Sequence, residues 1–387
     1  MTPFEAVTHA DPYAYYAQLR QQGGLYFDAG LHLWIASDAH VVGAILAHPD
    51  CRVRPLHEPV PAPIASGAAG QIFAQMMRMN EGPSHLGPRM AIAPALASVE
   101  AQRLADIVTG LAATLDNPAK KLDELMFTLP VYVIATLLGF NPDQCRDVVR
   151  RTRDFVACLS PLSNGPELAK AHAGAVRLSA GFNMLLSNDA NASSVLSHIL
   201  RDCKATTWAD PDALVANLIG LLSQTCEASA GLIGNTLIAL HRSPELLETV
   251  QTAPATLARL VAETARYDPP VQYTRRFVAR PCVIANRTLA AGDSLVVVLA
   301  SANRDPVANP APDSFLLDRA HPQTFSFGSG RHQCPGQQLA LAIASEAIRL
   351  WLQHPSPSSA RQLRWHYLPS LNGRIPQFEG AYDRRYF

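Results

Sequence analysis

The chain of 387 residues lacks the features that would place it at a glance. It has no excess charge of either sign: 32 Lys and Arg balance 32 Asp and Glu, for a formal net charge of zero. A nucleic-acid grip built on overall charge is therefore not expected, and no nucleic-acid partner is assigned. No apolar run reaches the roughly 18 residues of a spanning helix, so no membrane anchor is expected. The opening MTPFEAVTHADPYAYYAQLR carries acids early and has no apolar signal core, which argues against a secretory peptide. Neither a CxxC nor an HExxH pattern occurs, and the seven cysteines (Cys51, Cys145, Cys158, Cys203, Cys226, Cys282, Cys334) are scattered and odd in number. Free thiols in a reducing cytoplasm fit best, and the Asn-x-Ser/Thr matches at Asn191 and Asn286 read as chance. Internal repeats and low-complexity linkers are also missing, which favours one domain over 1–387.

What is present is globular: 48% hydrophobic residues, 17% charged, mean hydropathy +0.04. Asp11-Pro12 and AYYAQLRQQG predict a short helix ending near Gly23, and LYFDAGLHLWIAS predicts a hairpin around Ala29-Gly30. Residues 56–70, with Pro59, Pro61 and Pro63, form an irregular stretch. From about 97 to 250 the spacing is helical. The segment from Asp210-Pro211 to Ser243-Pro244 is apolar or small almost all round, which predicts a long helix through the middle of the molecule. A further helix (PATLARLVAETARYD), a β-rich piece (FVARPCVIANRTLAAGDSLVVVLAS), a loop and a last helix after Cys334 follow. The tail is expected to return to the β part.

The strongest local signal is Phe327-Gly328-Ser329-Gly330-Arg331-His332-Gln333-Cys334-Pro335-Gly336. A thiol sits in a glycine-rich loop just before the helix QQLALAIASEAIRLWLQ, with Pro335 suited to its first position. A helix N-terminus favours thiolate, and the glycines allow close backbone approach, so a metal ligand or a nucleophile is indicated. An ordinary buried cysteine in a tight turn is the alternative.

These ten residues resemble the heme-binding signature of the cytochrome P450 family, Phe-Gly-x-Gly-x-His-x-Cys-x-Gly, at every fixed position. Glu263-Thr264-Ala265-Arg266 resembles the family's Glu-x-x-Arg helix, and Ala302-Asn303-Arg304-Asp305-Pro306 its Ala-Asn-Arg-Asp-Pro segment. His85 and Arg89 resemble its His-x-x-x-Arg pair. The resemblance spans nearly the whole chain. It implies a mainly α fold, the triangular prism of helices with a smaller β-rich lobe. The β-rich parts are then expected at about 25–37, 272–300 and 360–387, and the helical part at about 80–270 and 335–353.

The resemblance also implies roles. Cys334 is the expected ligand of the iron of heme b (iron protoporphyrin IX), with Phe327 and Gly328 in its loop. His85, Arg89, Arg276 and His332 are the candidates for the heme propionates. Arg276 is placed by counting back from Ala291-Gly292, and Arg275 is its neighbour. Glu263 and Arg266, completed by Arg319, are expected to form a structural ion pair. On the central helix, Gln224-Thr225-Cys226-Glu227-Ala228-Ser229 stands where Ala/Gly-Gly-x-Glu/Asp-Thr-Thr/Ser is usual. The acid is kept as Glu227, whereas the usual threonine is Ala228. Proton delivery then falls to water, a substrate hydroxyl, Thr225 or Ser229; serine and threonine hydroxyls that merely bond back to helix carbonyls are the competing reading.

The implied activity is that of a heme-thiolate monooxygenase, inserting one atom of O2 into a small, largely apolar substrate of terpenoid, polyketide or amino-acid origin. The pocket would be walled by residues 56–80, 158–185, Leu222 to Cys226, Val271 to Tyr273 and the turn at Ser370-Leu371. NAD(P)H-derived electrons would come from a separate ferredoxin or flavodoxin with its reductase, since no reductase is fused, with Arg331 as a contact for the acidic partner. A monomer is expected. Peroxide-driven, rearrangement or dehydration chemistry stays open because of Ala228, and so does a non-enzymatic heme sensor.

Overall fold

The most apolar long segment becomes the axis of the molecule. The central helix runs Pro211–Arg242, with Pro211 at its first turn and the Asp210 carboxylate accepting the Ala213 N–H at 2.9 Å. It ends where Ser243 caps the next helix, Pro244–Thr252. Helix Leu257–Tyr267, the last helix Gln337–Gln353 and the helix Leu129–Leu138 pack against it. The structure, a computed structural model, describes residues 1–112, 122–187, 194–353 and 363–379.

Gly231 and Gly234 let the chain's C-terminal segment approach the axis. A Cβ on Gly231 would stand 2.9 Å from the Arg374 carbonyl oxygen, and one on Gly234 would stand 2.4 Å from Pro376 Cγ. Neither position tolerates a side chain without backbone movement.

The β lobe is a five-stranded sheet in the order Leu25–Asp28, Leu33–Ala36, Ser294–Val297, Thr274–Val278, Cys51–Arg52. The first two strands form the expected hairpin, and the second pairs in parallel with the third. Cys282–Ile284 and Arg287–Leu289 form a separate hairpin. Its two turn residues, Ala285 and Asn286, have φ of 47° and 60°. Asn286 is thus explained by the left-handed turn it supports. Asn191 lies outside the described residues.

The tail differs from expectation. Its strands, Trp365–Tyr367 and Pro376–Phe378, pair with each other and do not join the large sheet, touching the β lobe through a Val271–Gly373 bridge. Residues 360–362 and 380–387 of that expected region lie outside the described residues. The stretch 56–70 also holds a helical turn, Ala62–Ile64, and the start of the helix Ala68–Gln75.

All seven cysteines are free thiols. Among the described residues no helix is long and apolar enough to cross a membrane.

Candidate active site

The cysteine loop is folded by its own backbone. The Cys334 N–H donates to the Phe327 carbonyl at 2.8 Å, and the Gly328 N–H to Phe325 at 2.8 Å. Gly328 and Gly330 take φ of 69° and 67°, a region in which a side chain is strained. The last helix starts at Gln337, so Pro335 lies two residues before the position expected for it. Pro335 and Gly336 instead form the turn after Cys334, and it is the Gly336 N–H that serves the sulfur. Burial pushes the Cys334 thiol up, against the pull of that N–H and of the Arg89 charge. Protein alone therefore favours the neutral thiol; a bound cation would be needed to hold thiolate there.

Two buried networks hold this loop against the helical body. The Asn303 side chain accepts the Phe325 N–H at 2.6 Å and donates to Ser326 Oγ at 2.7 Å, and Ser326 Oγ donates to the Ala265 carbonyl. Glu263 and Arg266, three residues apart on one helix, form the second network: the guanidinium is 1% exposed and meets the carboxylate through two bonds of 2.9 and 2.7 Å. Arg319 completes it at 3.2 Å from Glu263 Oε1. Arg266 also donates to the carbonyls of Asn303, Pro312 and Ser314. The expected structural ion pair is thus formed, and the segment 302–306 is tied to it.

Beside the loop lies a cluster of cations. Strand alternation turns Arg276 inward, 5% exposed, and Arg275 outward over the Phe277 ring. Among the described residues Arg276 donates only to Thr274 Oγ1 and the Arg275 carbonyl, and its Nε is buried without a partner. Burial pushes its guanidinium down to about 10. The His85 and His332 rings lie 4.2 Å apart. His85 faces the carbonyls of Met77 and Arg331, both at 2.9 Å, and Arg89 donates to the Gln333 carbonyl at 2.7 Å.

Glu81, which sequence reasoning missed, sits among these cations. Its Oε2 meets Arg331 Nε at 2.9 Å and His332 Nε2 at 3.1 Å. Burial opposes its ionisation, but these two partners prevail and hold it down at about 2. Arg331 also donates to the carbonyls of Ala47, His48 and Cys51. Its side chain, a quarter exposed, therefore also clamps the cysteine loop to the segment 47–51.

On the central helix the candidate catalytic residues separate. Glu227 keeps accessible surface although protein surrounds it, and burial pushes its carboxyl up against the pull of Arg78. Thr225 donates to the Leu221 carbonyl at 2.8 Å, the back-bonded state weighed above. Gln224 likewise donates to the Gly220 carbonyl at 2.9 Å. Ser229 is 3% exposed, packed among the helices. Two surface concavities, of about 660 and 180 Å³, contain none of the candidate residues.

The residues around Cys334 fit a heme. Among the described residues Arg276 is a buried guanidinium with no acid in ion-pair contact, and the carboxylate of Glu81 is outnumbered by Arg89, Arg276 and Arg331. An anionic cofactor carrying two carboxylates supplies the missing charge. Gly336 leaves the sulfur uncrowded: a Cβ there would stand 4.0 Å from Cys334 Sγ.

Comparison with known proteins agrees. The family model described as Cytochrome P450 matches residues 237–356. The chain is 26% identical over 384 residues to the biotin biosynthesis cytochrome P450 of Bacillus subtilis (strain 168), spanning 94% of each. It is 29% identical to the cytochrome P450 monooxygenase PikC of Streptomyces venezuelae, over 94% of this chain and 89% of PikC. The crystal structure of CalO2 superposes with a TM-score of 0.85 at 24% identity, covering 98% of this chain and 97% of CalO2. Likeness in sequence along almost the whole length and in fold along nearly all of it leads to one conclusion: the chain is similar to the cytochrome P450s, heme-dependent oxidoreductases, and shares their fold.

Proposed function

We propose that the chain is a single heme-thiolate domain that inserts one oxygen atom into a small, largely apolar biosynthetic substrate, with Cys334 as the iron ligand. The observation that carries this is the pairing of Cys334, presented by a backbone-closed loop, with the buried guanidinium of Arg276, which has no ion pair among the described residues. Arg276, Arg89, His85 and His332 would hold the propionates, and Phe327 and Gly328 shape the loop. Bound there, a thiolate-ligated heme iron supplies the activation of dioxygen. PikC, named a monooxygenase, is a relative along most of the chain, which supports the same reaction here.

The protein's own part is to bind, exclude water and manage a proton. Glu227 is the one acid of the central-helix motif, and burial favours its neutral form, so it is placed to hold a proton rather than a charge. Ala228 offers no hydroxyl, Ser229 is nearly buried, and Thr225 points its proton back into the helix. The remaining path from Glu227 runs through water or a hydroxyl brought by the substrate. Electrons would come from a ferredoxin or flavodoxin with its reductase.

The test is isotopic. With a separate reductase and ferredoxin, product made under labelled dioxygen should carry one labelled atom. Product made only with peroxide would contradict the reading and favour peroxygenase chemistry, which the absence of a hydroxyl at Ala228 allows.

A further inference from the structure

Among the described residues, one cluster of soft metal ligands stands outside the heme site. His48, Cys51 and Cys282 bring one imidazole nitrogen and two sulfurs within 4.8 Å of one another. They come from three places in the fold. His48 caps the end of the helix Ala39–Ala47, Cys51 opens the edge strand Cys51–Arg52, and Cys282 opens the hairpin strand Cys282–Ile284.

The backbone fixes each of them. The Cys51 N–H donates to the His48 carbonyl at 3.2 Å, which closes a tight turn with two candidate ligands three residues apart. Cys51 then pairs with Val278 of the neighbouring strand. The Ala279 N–H donates to the Asp50 carbonyl at 2.8 Å, and Arg280 Nε donates to Asp50 Oδ1 at 2.8 Å. The chain running on to Cys282 is therefore fastened beside that turn. Cys282 pairs with Leu289 in its own hairpin.

Two thiols alone would be ordinary small core side chains, and both do pack in the apolar cluster with Val278 and Leu289. The imidazole separates this cluster from that reading. A hydrogen bond from the Asp50 N–H to His48 Nδ1, at 3.1 Å, orients the ring; ligation would take its place. Cys51 is buried, whereas His48 and Cys282 are partly exposed, so an ion can enter from solvent.

One nitrogen and two sulfurs select a soft or borderline cation over calcium or magnesium, which take oxygen. In a tetrahedral zinc site the metal lies about 2.3 Å from sulfur and about 2.0 Å from nitrogen, which sets ligand atoms about 3.5–3.8 Å apart. The three side chains would need to converge by on the order of 1 Å. Zinc(II) would displace one proton from each thiol, and two thiolates with a neutral imidazole leave the site without net charge. Copper(I) there would leave a net negative charge beside a buried sulfur. Three protein ligands give zinc a fourth position for water.

We propose that His48, Cys51 and Cys282 form a zinc site that ties the helix end, the edge strand and the hairpin together. The carbonyls of His48 and Cys51 are two of the acceptors that hold Arg331, so the ion also braces the clamp on the cysteine loop. The site does not depend on the substrate or on the oxygenase reading.

The test titrates reduced, heme-loaded protein without a histidine tag with zinc chloride, read by calorimetry. One equivalent should bind, and zinc-edge X-ray absorption should show two sulfurs at about 2.3 Å. His48→Gln and Cys282→Ser, both at partly exposed positions, should each weaken binding about tenfold or more while heme content stays unchanged. Zinc should slow heme transfer to apomyoglobin about twofold or more in wild type and not in the variants. Zinc that does not bind, that binds without sulfur, or that binds both variants as tightly as wild type overturns the proposal. So does protein that takes up no zinc while oxidised glutathione closes a disulfide between Cys51 and Cys282, which makes the pair a redox couple. Heme transfer indifferent to bound zinc overturns the bracing role.

Discussion

Asn303 holds Phe325: its side-chain oxygen accepts the Phe325 N–H at 2.6 Å, two residues ahead of the cysteine loop. The same amide donates to Ser326, which reaches the carbonyl of Ala265 in the Glu263–Arg266 helix. One buried side chain therefore joins the segment 302–306, the loop and the helix behind it. Asn303→Ala should cost about 1–3 kcal/mol, since it leaves a buried N–H unsatisfied. The urea midpoint should fall and heme should dissociate faster. An unchanged midpoint with unchanged heme retention would contradict the latch.

The Glu263 carboxylate serves two arginines, Arg266 at 2.7 Å and Arg319 at 3.2 Å, all three nearly sealed from solvent. Glu263→Gln removes the one negative charge and leaves two buried cations. The expected loss is about 3–5 kcal/mol in chemical denaturation. Glu263→Asp should recover part of it. A variant as stable as wild type would show that the triad is not structural.

Asp123 gives a pH signature remote from the heme site. Burial, reinforced by Glu124 and opposed by Arg153, pushes its carboxyl up to about 6, and its Oδ2 is buried without a partner. The native state therefore holds a proton that the unfolded chain, with a carboxyl near the ordinary value of about 3.9, releases earlier. Its penalty is absent below about pH 4, grows as pH rises through 6 and is complete above it. Asp123→Asn should stabilise the protein at pH 7 by about 1–2 kcal/mol, after allowance for partial solvent screening, and by nothing near pH 4. A stability difference independent of pH would contradict this.

Ala228→Thr restores the hydroxyl usual in the family. If protons already travel by water or substrate, product formed per electron on the native substrate should change by less than about twofold. Glu227→Gln, by contrast, removes the one motif acid and should depress turnover far more than substrate binding. A several-fold gain in coupling from Ala228→Thr would overturn the substrate- or water-assisted path.

How much of this is legible in the sequence depends on the range of each interaction. The loop around Cys334 and the Glu263–Arg266 pair are readable because their partners lie within a few residues. The central helix declares itself through its all-round apolar run and its Asp210-Pro211 start. Arg276 against Arg275 is undecided by counting and settled by strand alternation, which needs the pairing with Ser294–Val297. Glu81 escapes notice because its partner Arg331 lies 250 residues away in sequence. The structural part of Arg331 escapes notice for the same reason: its carbonyl acceptors at Ala47, His48 and Cys51 lie about 280 residues away.

The central claim is that Cys334 binds heme iron as thiolate, and the reduced carbonyl adduct tests it most directly. Wild-type protein loaded with heme should give the red-shifted band of a thiolate-ligated adduct, and Cys334→His should lose that band and oxygen insertion while retaining heme at best. A wild-type adduct without the thiolate shift, or a Cys334→His variant with full activity, would contradict the account.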